Sequence, residues 1–483
     1  MTGLDLIETH ISWLLLTEDR VFKVKKPVTF AFLDLSTVEA RGEACRAEVE
    51  LNRRLAPDVY EGVGRFTYPD GRSEPVVVMR RLPWKRRLSA LIESNDPGLP
   101  THIEGIARRL AAFHVGATRN ADVDAACTGQ AVTRLWRNNM AELRLASASI
   151  LEPHHLDRLD RLALKYLCGR PHLFRSRILS GRAVDGHGDL LADDIFCLDD
   201  GPRLLDCLEF DASLRYIDTL SDAASLAMDL ERLGRPDLAA AFLDWYREAS
   251  VDAWPASLAH FYIAYRATIR AKVACLRAAT GDSRAAEQAQ QLVALASAHL
   301  SAATVRLILV GGLPGTGKST LAGGLGTATG WPVLRSDLVR KELAGLRPSE
   351  SAAATFQAGI YGPEATATVY AELLSRAGLL LQSGRSVILD ATWTRHCWRE
   401  AARELAAQTR ADVVELECEA SRELSSLRLH QRHLEGSDPS DATADIADAM
   451  AQVAEPWLDA VPVDTTLGLE DALAVVLELL DLH

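Results

Sequence analysis

The chain has 483 residues, 48% of them hydrophobic and 25% charged, enough to bury the cores of about two or three soluble globular domains. Its 53 basic and 66 acidic residues leave a formal net charge of −13, which argues against a whole-chain nucleic-acid or membrane binder. Eight cysteines are scattered with no C-x-x-C pair and no zinc spacing, as befits thiols in a reducing compartment.

The opening MTGLDLIETHISWLLLTEDR has no basic leader region, and its run ISWLLL is too short to target or span a membrane. A cytoplasmic chain is expected. ISWLLL, the turn TEDR and VFKVKK predict an antiparallel hairpin, followed by a helix in STVEARGEACRAEVELNRRL and a strand in EPVVVMRRL. From about residue 83 the pattern turns helical, with Ala, Leu and Arg at three-to-four spacing. AHFYIAYRATIRAKVACLRAA sets Tyr262, Arg266 and Arg270 on one face, read as a packing face, with an anionic acceptor as the alternative.

One stretch inside this helical region differs. Residues 185–211, DGHGDLLADDIFCLDDGPRLLDCLEFD, thread nine acids between short apolar runs. DDG followed by Pro202 predicts a turn. Pairing Leu198 with Arg203 sets Ile195 opposite Asp206, with Asp194 one step diagonal to Asp206. Two carboxylates converging there repel each other unless a cation lies between them. His187 and Asp189 supply an H-G-D ahead of this hairpin, the order of a kinase catalytic loop: base, metal ligand, hairpin, second metal-binding acid. In that scheme Asp189 handles the substrate hydroxyl proton, while Asp194 and Asp206 hold magnesium against ATP. Asp185, Asp193, Asp199 and Asp200 read as loop and turn residues; Glu209 and Asp211 have no assigned part.

An Ala-rich helix ends near residue 303, and strands and helices then alternate: VRLILV, WPVL, SVILD, DVVELEC and VPVD predict a parallel α/β sheet. GLPGTGKST (312–320) follows the first strand and opens a helix, matching the P-loop pattern in its required context. Gly312, Pro314, Gly315, Thr316, Gly317 and Thr320 shape the cradle, Lys318 reaches the terminal phosphates and Ser319 holds magnesium. Later strand ends deliver Ser336 and Asp337, Asp390 and Thr392, and Asp464 and Thr465. Asp390 is placed as a metal carboxylate, whereas Asp337 reads equally well as a helix cap. Arg428 and Arg432, four apart before a Gly436 break, suit a lid over transferring phosphate.

GLPGTGKST, RSDLVRK, VILDATW and the R-x-x-x-R lid resemble the small-molecule and polynucleotide-5′-hydroxyl kinase branch of P-loop proteins, including the zeta-toxin-like enzymes. That resemblance implies Asp337 as base and Arg340 on acceptor or phosphate, with Trp393, Arg395 and Arg399 as weaker acceptor contacts. The 185–211 stretch resembles the aminoglycoside-phosphotransferase-like branch of the protein-kinase-like fold. It implies Lys23 (or Lys25) as the ATP lysine and Glu48 as its ion-pair partner. Two departures stand out: no glycine-rich loop precedes VFKVKK, and Asp194 stands where the family has Asn.

The expectation is therefore an α+β bilobal kinase-like domain over residues 1–303, with a small lobe at 1–82 and a helical lobe at 83–303. An α/β P-loop domain with a parallel sheet follows at 304–483. The whole resembles fused bacterial proteins of these two parts. ATP (or GTP) and Mg2+ are the implied cofactors and small-molecule hydroxyls the acceptors, with nucleic acid disfavoured by the net acidity. A rival reading makes the first domain a pseudokinase that regulates the second. A third makes the chain zeta-toxin-like, acting on a nucleotide sugar or a nucleic-acid end.

Overall fold

A computed structural model describes residues 5–9, 11–30, 33–147, 150–348, 350, 358–435, 440–466 and 468–481. The chain separates into two compact units. One comprises Met1–Arg161, Phe174–Trp254 and Leu258–Ala302, the other Leu162–Leu173, Pro255–Ser257 and Ala303–His483.

The first unit begins with a five-stranded antiparallel sheet in the order Asp5–Glu8, Ser12–Leu16, Arg20–Lys25, Ser73–Arg80, Tyr60–Thr67. The hairpin and the strand at EPVVVMRR form where their alternation predicts. Tyr60–Thr67 is harder to read because its glycines look like a turn. A Cβ on Gly64 would lie 3.0 Å from Val78, so glycine lets this strand pack tightly on its neighbour. The helix Val38–Arg53 crosses after the third strand, with the Thr37 hydroxyl accepting from the Ala40 amide as its cap. Its buried face carries Cys45, Val49 and the wholly buried Glu48.

The helical lobe is built around Thr219–Arg232, whose residues 219–230 are all buried. Leu99–Gly116, Gly129–Ala146, Pro236–Ser250, Ala256–Ala279 and Ala285–Ala302 are further helices of this region. No described helix is long and apolar enough to cross a membrane, and all eight cysteines are free.

A histidine pair in this lobe makes a pH prediction. The Nδ1 atoms of His260 and His299 are 2.8 Å apart, and His299 Nε2 lies 2.8 Å from Glu231. One proton can sit between the two Nδ1 atoms but not two, and burial followed by the His299 charge pushes His260 down to about 4. The unfolded chain protonates this ring below roughly pH 6.5 while the folded chain does not. The contribution of His260 to stability should therefore be constant above that pH and fall on acidification towards pH 4, by about 3 kcal/mol. Urea unfolding of the native chain and His260→Gln at pH 7 and pH 4.5 checks this; the variant should show the shallower loss.

The second unit is a five-stranded parallel sheet in the order Val333–Arg335, Val387–Asp390, Arg306–Gly311, Asp412–Glu419, Val461–Asp464. All five form where the apolar runs predict them. Ile308, Val310, Ile388, Leu416 and Val463 from the strands pack with Leu321 and Leu325 of the helix Lys318–Thr329 and Val476 of Leu469–Leu479. The two central strands, Arg306–Gly311 and Val387–Asp390, are buried and read as apolar runs, which is why they are the most legible.

Candidate functional site

In the first unit, His187, Gly188 and Asp189 sit on a loop tied down from beneath by Asp222. The Asp222 carboxylate accepts the His187 amide at 2.6 Å and the Gly188 amide at 3.0 Å, and lies 3.0 Å from His114 Nε2. Burial opposes its ionisation, but the His114 bond and the loop amides hold its carboxyl far below the usual range. A Cβ on Gly186 would come within 2.6 Å of the same carboxylate, so only glycine fits there. Arg266, itself buried, donates to the Gly188 carbonyl at 2.7 Å, and Arg270 Nη1 is 3.3 Å from Asp189. The predicted packing face is thus a support for the loop.

His187 was expected among the catalytic residues, and the structure corrects this. Its ring is wholly buried, its charged form is disfavoured chiefly by that burial, and its Nε2 lies 2.9 Å from the Leu205 carbonyl. It is a strut between the loop and the hairpin.

The hairpin register also differs from expectation. Leu198 pairs with Gly201 and Ile195 with Leu204, not with Arg203 and Asp206. The turn is the two residues Asp199 and Asp200. Pro202 then falls opposite Cys197, a non-hydrogen-bonded position where its missing N–H costs nothing. Asp206 lies beyond the strand with a left-handed backbone, φ +62°. The Leu205 amide donates to the Asp194 carbonyl at 2.8 Å, so Asp206 is the neighbour of a residue tied to Asp194. Burial, then the charges of Asp206 and Asp189, push the Asp194 carboxyl well up; the Lys23 charge pulls that of Asp206 down.

Lys23 Nζ is 2.8 Å from both Glu48 and Asp206. Lys25 Nζ lies 2.6 Å from Glu48 and 2.5 Å from Glu209. Both lysines therefore pair with Glu48, and Lys23 is the one left partly open. The other acids have local partners: Asp193 with Ser89, Asp199 with Arg86, Asp200 with Arg203, and Asp211 with the Ser213 amide. Asp185 is a strand residue paired with Arg215 at 2.8 Å, not the loop residue expected.

In the second unit the P-loop follows Arg306–Gly311 and opens Lys318–Thr329. Gly312, Gly315 and Gly317 have φ of +133°, +86° and +89°. A Cβ on Gly315 would meet the Ser425 carbonyl at 2.5 Å, so neither the backbone angle nor the space admits a side chain. Pro314, Thr316 and Lys318 are buried, and Thr320 is exposed. Asp390 ends its strand 3% exposed, with one oxygen 3.3 Å from Arg335 and the other buried without a hydrogen-bond partner. Burial raises the Asp390 carboxyl, while Lys318 and Ser319 pull it back.

Asp337 lies in the first turn of Ser336–Leu343 and acts on Asp390. Arg340 is buried, donates to the Ile360 carbonyl at 2.9 Å and covers the Tyr361 ring. Of the two lid arginines only Arg428 reaches the P-loop. It donates to the Thr465 carbonyl at 2.7 Å, and its Nη1 would be 3.4 Å from a Cβ on Gly317. Arg432 turns instead to the Ala442 carbonyl, and Gly436 lies outside the described residues. Trp393 and Arg399 are core residues rather than acceptor contacts: Trp393 is wholly buried against Gly311, and Arg399 donates to the Pro456 carbonyl at 2.9 Å. Arg395 is exposed near Glu455, and Asp464 is exposed and caps its own turn at Thr466.

Among the described residues no three His, Cys, Asp or Glu are grouped to hold a metal alone. Magnesium asks for less, usually one or two carboxylates completed by phosphates and water. The unpartnered oxygen of Asp390 beside Ser319 fits it, as does the opposed Asp194–Asp206 pair.

Sequence reading missed Asp222. Its only signal is an acid inside the apolar helix run DTLSDAASLAMDL, where a carboxylate must find partners indoors. Asp222→Asn would turn an amide N–H toward two loop amides. About 3 kcal/mol of stability should be lost, seen in thermal unfolding, with loss of any activity that depends on Asp189.

A family model described as an AAA domain matches residues 307–457. The uncharacterised protein Rv2004c of Mycobacterium tuberculosis (strain ATCC 25618 / H37Rv) is 45% identical over 465 residues, 96% of this chain and 92% of its own. A solved GDP complex of aminoglycoside 2′-phosphotransferase-IIIa is 16% identical with a TM-score of 0.36, covering 62% of this chain and 94% of that one. The Mycobacterium tuberculosis APS kinase CysC, solved with AMPPNP and APS, is 19% identical with a TM-score of 0.28, covering 37% of this chain and 98% of that one. The chain belongs to the family of Rv2004c of Mycobacterium tuberculosis, and its second unit carries the AAA domain that the family model matches.

Proposed function

We propose that the chain is a two-headed ATP-dependent phosphotransferase, each unit moving a γ-phosphoryl group to a hydroxyl of a small molecule. The observation that carries this reading is the doubled constellation. Lys23 sits on Glu48 and Asp206 in one unit, and in the other the buried Asp390 lies under the influence of Lys318, Ser319 and Asp337.

In the first unit Asp189 takes the acceptor proton, held in place by Arg270 and the Asp222-anchored loop. Lys23 would exchange Asp206 for phosphate oxygens, and Asp194 and Asp206 are the residues that would hold a magnesium ion. In the second, the glycine cradle and Lys318 would hold the phosphates, Asp390 and Ser319 are the residues that would hold the metal, and Asp337 serves as base. Arg428 brings positive charge over the loop. Magnesium bound with the nucleotide would supply charge neutralisation across the phosphate oxygens.

A second reading has one observation in its favour. Lys23 is already committed to Asp206, and no glycine-rich loop covers it, which would suit a pseudokinase module that regulates the P-loop unit. Phosphorylation of a metabolite extract with labelled ATP separates the two. Distinct labelled products should vanish with Asp189→Asn and with Lys318→Ala. Survival of every product in Asp189→Asn would make the first unit a regulator.

A further inference from the structure

Glu209 has no part in the catalytic scheme, yet it is among the most firmly held acids of the first unit. Lys23 and Lys25 are two apart on one strand and so share a face. Asp206 and Glu209 lie three apart on the segment beyond the hairpin. Two rungs join them: Lys23 to Asp206 at 2.8 Å and Lys25 to Glu209 at 2.5 Å, with Glu48 between the lysines at 2.8 and 2.6 Å. The Lys25 and Glu48 side chains are wholly enclosed and that of Glu209 is 9% exposed, whereas the Asp206 side chain is 52% exposed. The segment's backbone is tied as well, the Cys207 amide donating to Asn52 at 2.8 Å and the Leu208 amide to the His187 carbonyl at 3.1 Å.

Consider what nucleotide binding requires. Lys23 must release Asp206 to meet phosphate, and in doing so it moves relative to Glu48. With Lys23 as the sole cation, that step would leave a wholly buried carboxylate unpaired, which is strongly disfavoured. Lys25 cannot follow, since it is enclosed and held by Glu209. Glu48 therefore keeps a counter-ion throughout.

We propose that Lys25 and Glu209 are positioning residues, forming a latch that holds segment 206–209 on the small lobe and frees Lys23 to exchange partners. This rests on the first unit binding a magnesium–nucleotide.

The test uses the full chain carrying Lys318→Ala, so that nucleotide binding reports on the first unit. Magnesium-dependent binding of a non-hydrolysable ATP analogue, amide hydrogen exchange across 205–209 without nucleotide, and thermal unfolding are measured with and without Glu209→Gln. The variant should weaken analogue binding about tenfold, as the competent population falls, and speed exchange in 205–209, with the unfolding temperature little changed. Glu209→Asp, which keeps the charge, should recover part of the affinity. Normal binding and exchange in Glu209→Gln would overturn the latch alone. Absence of analogue binding in the Lys318→Ala chain would overturn the nucleotide reading of this unit and the latch's purpose with it.

Discussion

Lys318→Ala is expected to lower ATP turnover by the P-loop unit by about 1000-fold, the scale seen when a positioned cation or donor is removed from a charge-developing site. Lys318 begins its helix where three glycines with left-handed backbones bring the loop amides inward, so the cradle's shape does not depend on it. What depends on it is charge. Its ammonium offsets the burial that raises Asp390, so removing it weakens both the phosphate contact and the metal carboxylate. Steady-state ATP hydrolysis on the full chain checks this, with the first unit's turnover subtracted by means of Asp189→Asn. A loss of less than about tenfold would mean that the phosphates lie elsewhere.

Asp189→Asn is expected to remove phosphoryl transfer by the first unit to a similar degree, about 1000-fold, through the rate constant rather than through nucleotide affinity. The loop around Asp189 is fixed by Asp222 and Arg266, neither of which the substitution touches. Asparagine keeps an oxygen for Arg270 but cannot take a proton. Turnover should fall while analogue binding stays unchanged, and the P-loop unit should be unaffected. An equal loss of binding would assign Asp189 to the nucleotide or its metal instead of the acceptor.

Much of this was legible in the residues. The parallel sheet announces itself in its central strands, Arg306–Gly311 and Val387–Asp390, which are buried and so read as apolar runs. The P-loop is fixed by a local geometric need for glycine at set positions. The first unit is less transparent. The register after Asp194 was not legible, because Asp-Asp-Gly-Pro admits turns of more than one length. The two-residue turn moves Asp206 off the ladder, where its backbone is left-handed. Burial was the other blind spot. His187, Trp393 and Arg399 carry functional chemistry, yet their surroundings enclose them, and enclosure is a tertiary property. Asp222 and Glu209 were missed for the converse reason. Each takes its meaning from partners distant in the chain: Asp222 from His114, and Glu209 from Lys25.

The central claim is two separate nucleotide sites on one chain. Its most direct test is the stoichiometry of a non-hydrolysable ATP analogue bound to the full-length protein in saturating magnesium. Two equivalents per chain are predicted, one removed by Lys318→Ala and the other by Asp206→Ala. A single equivalent, abolished by Lys318→Ala and untouched by Asp206→Ala, would contradict the account.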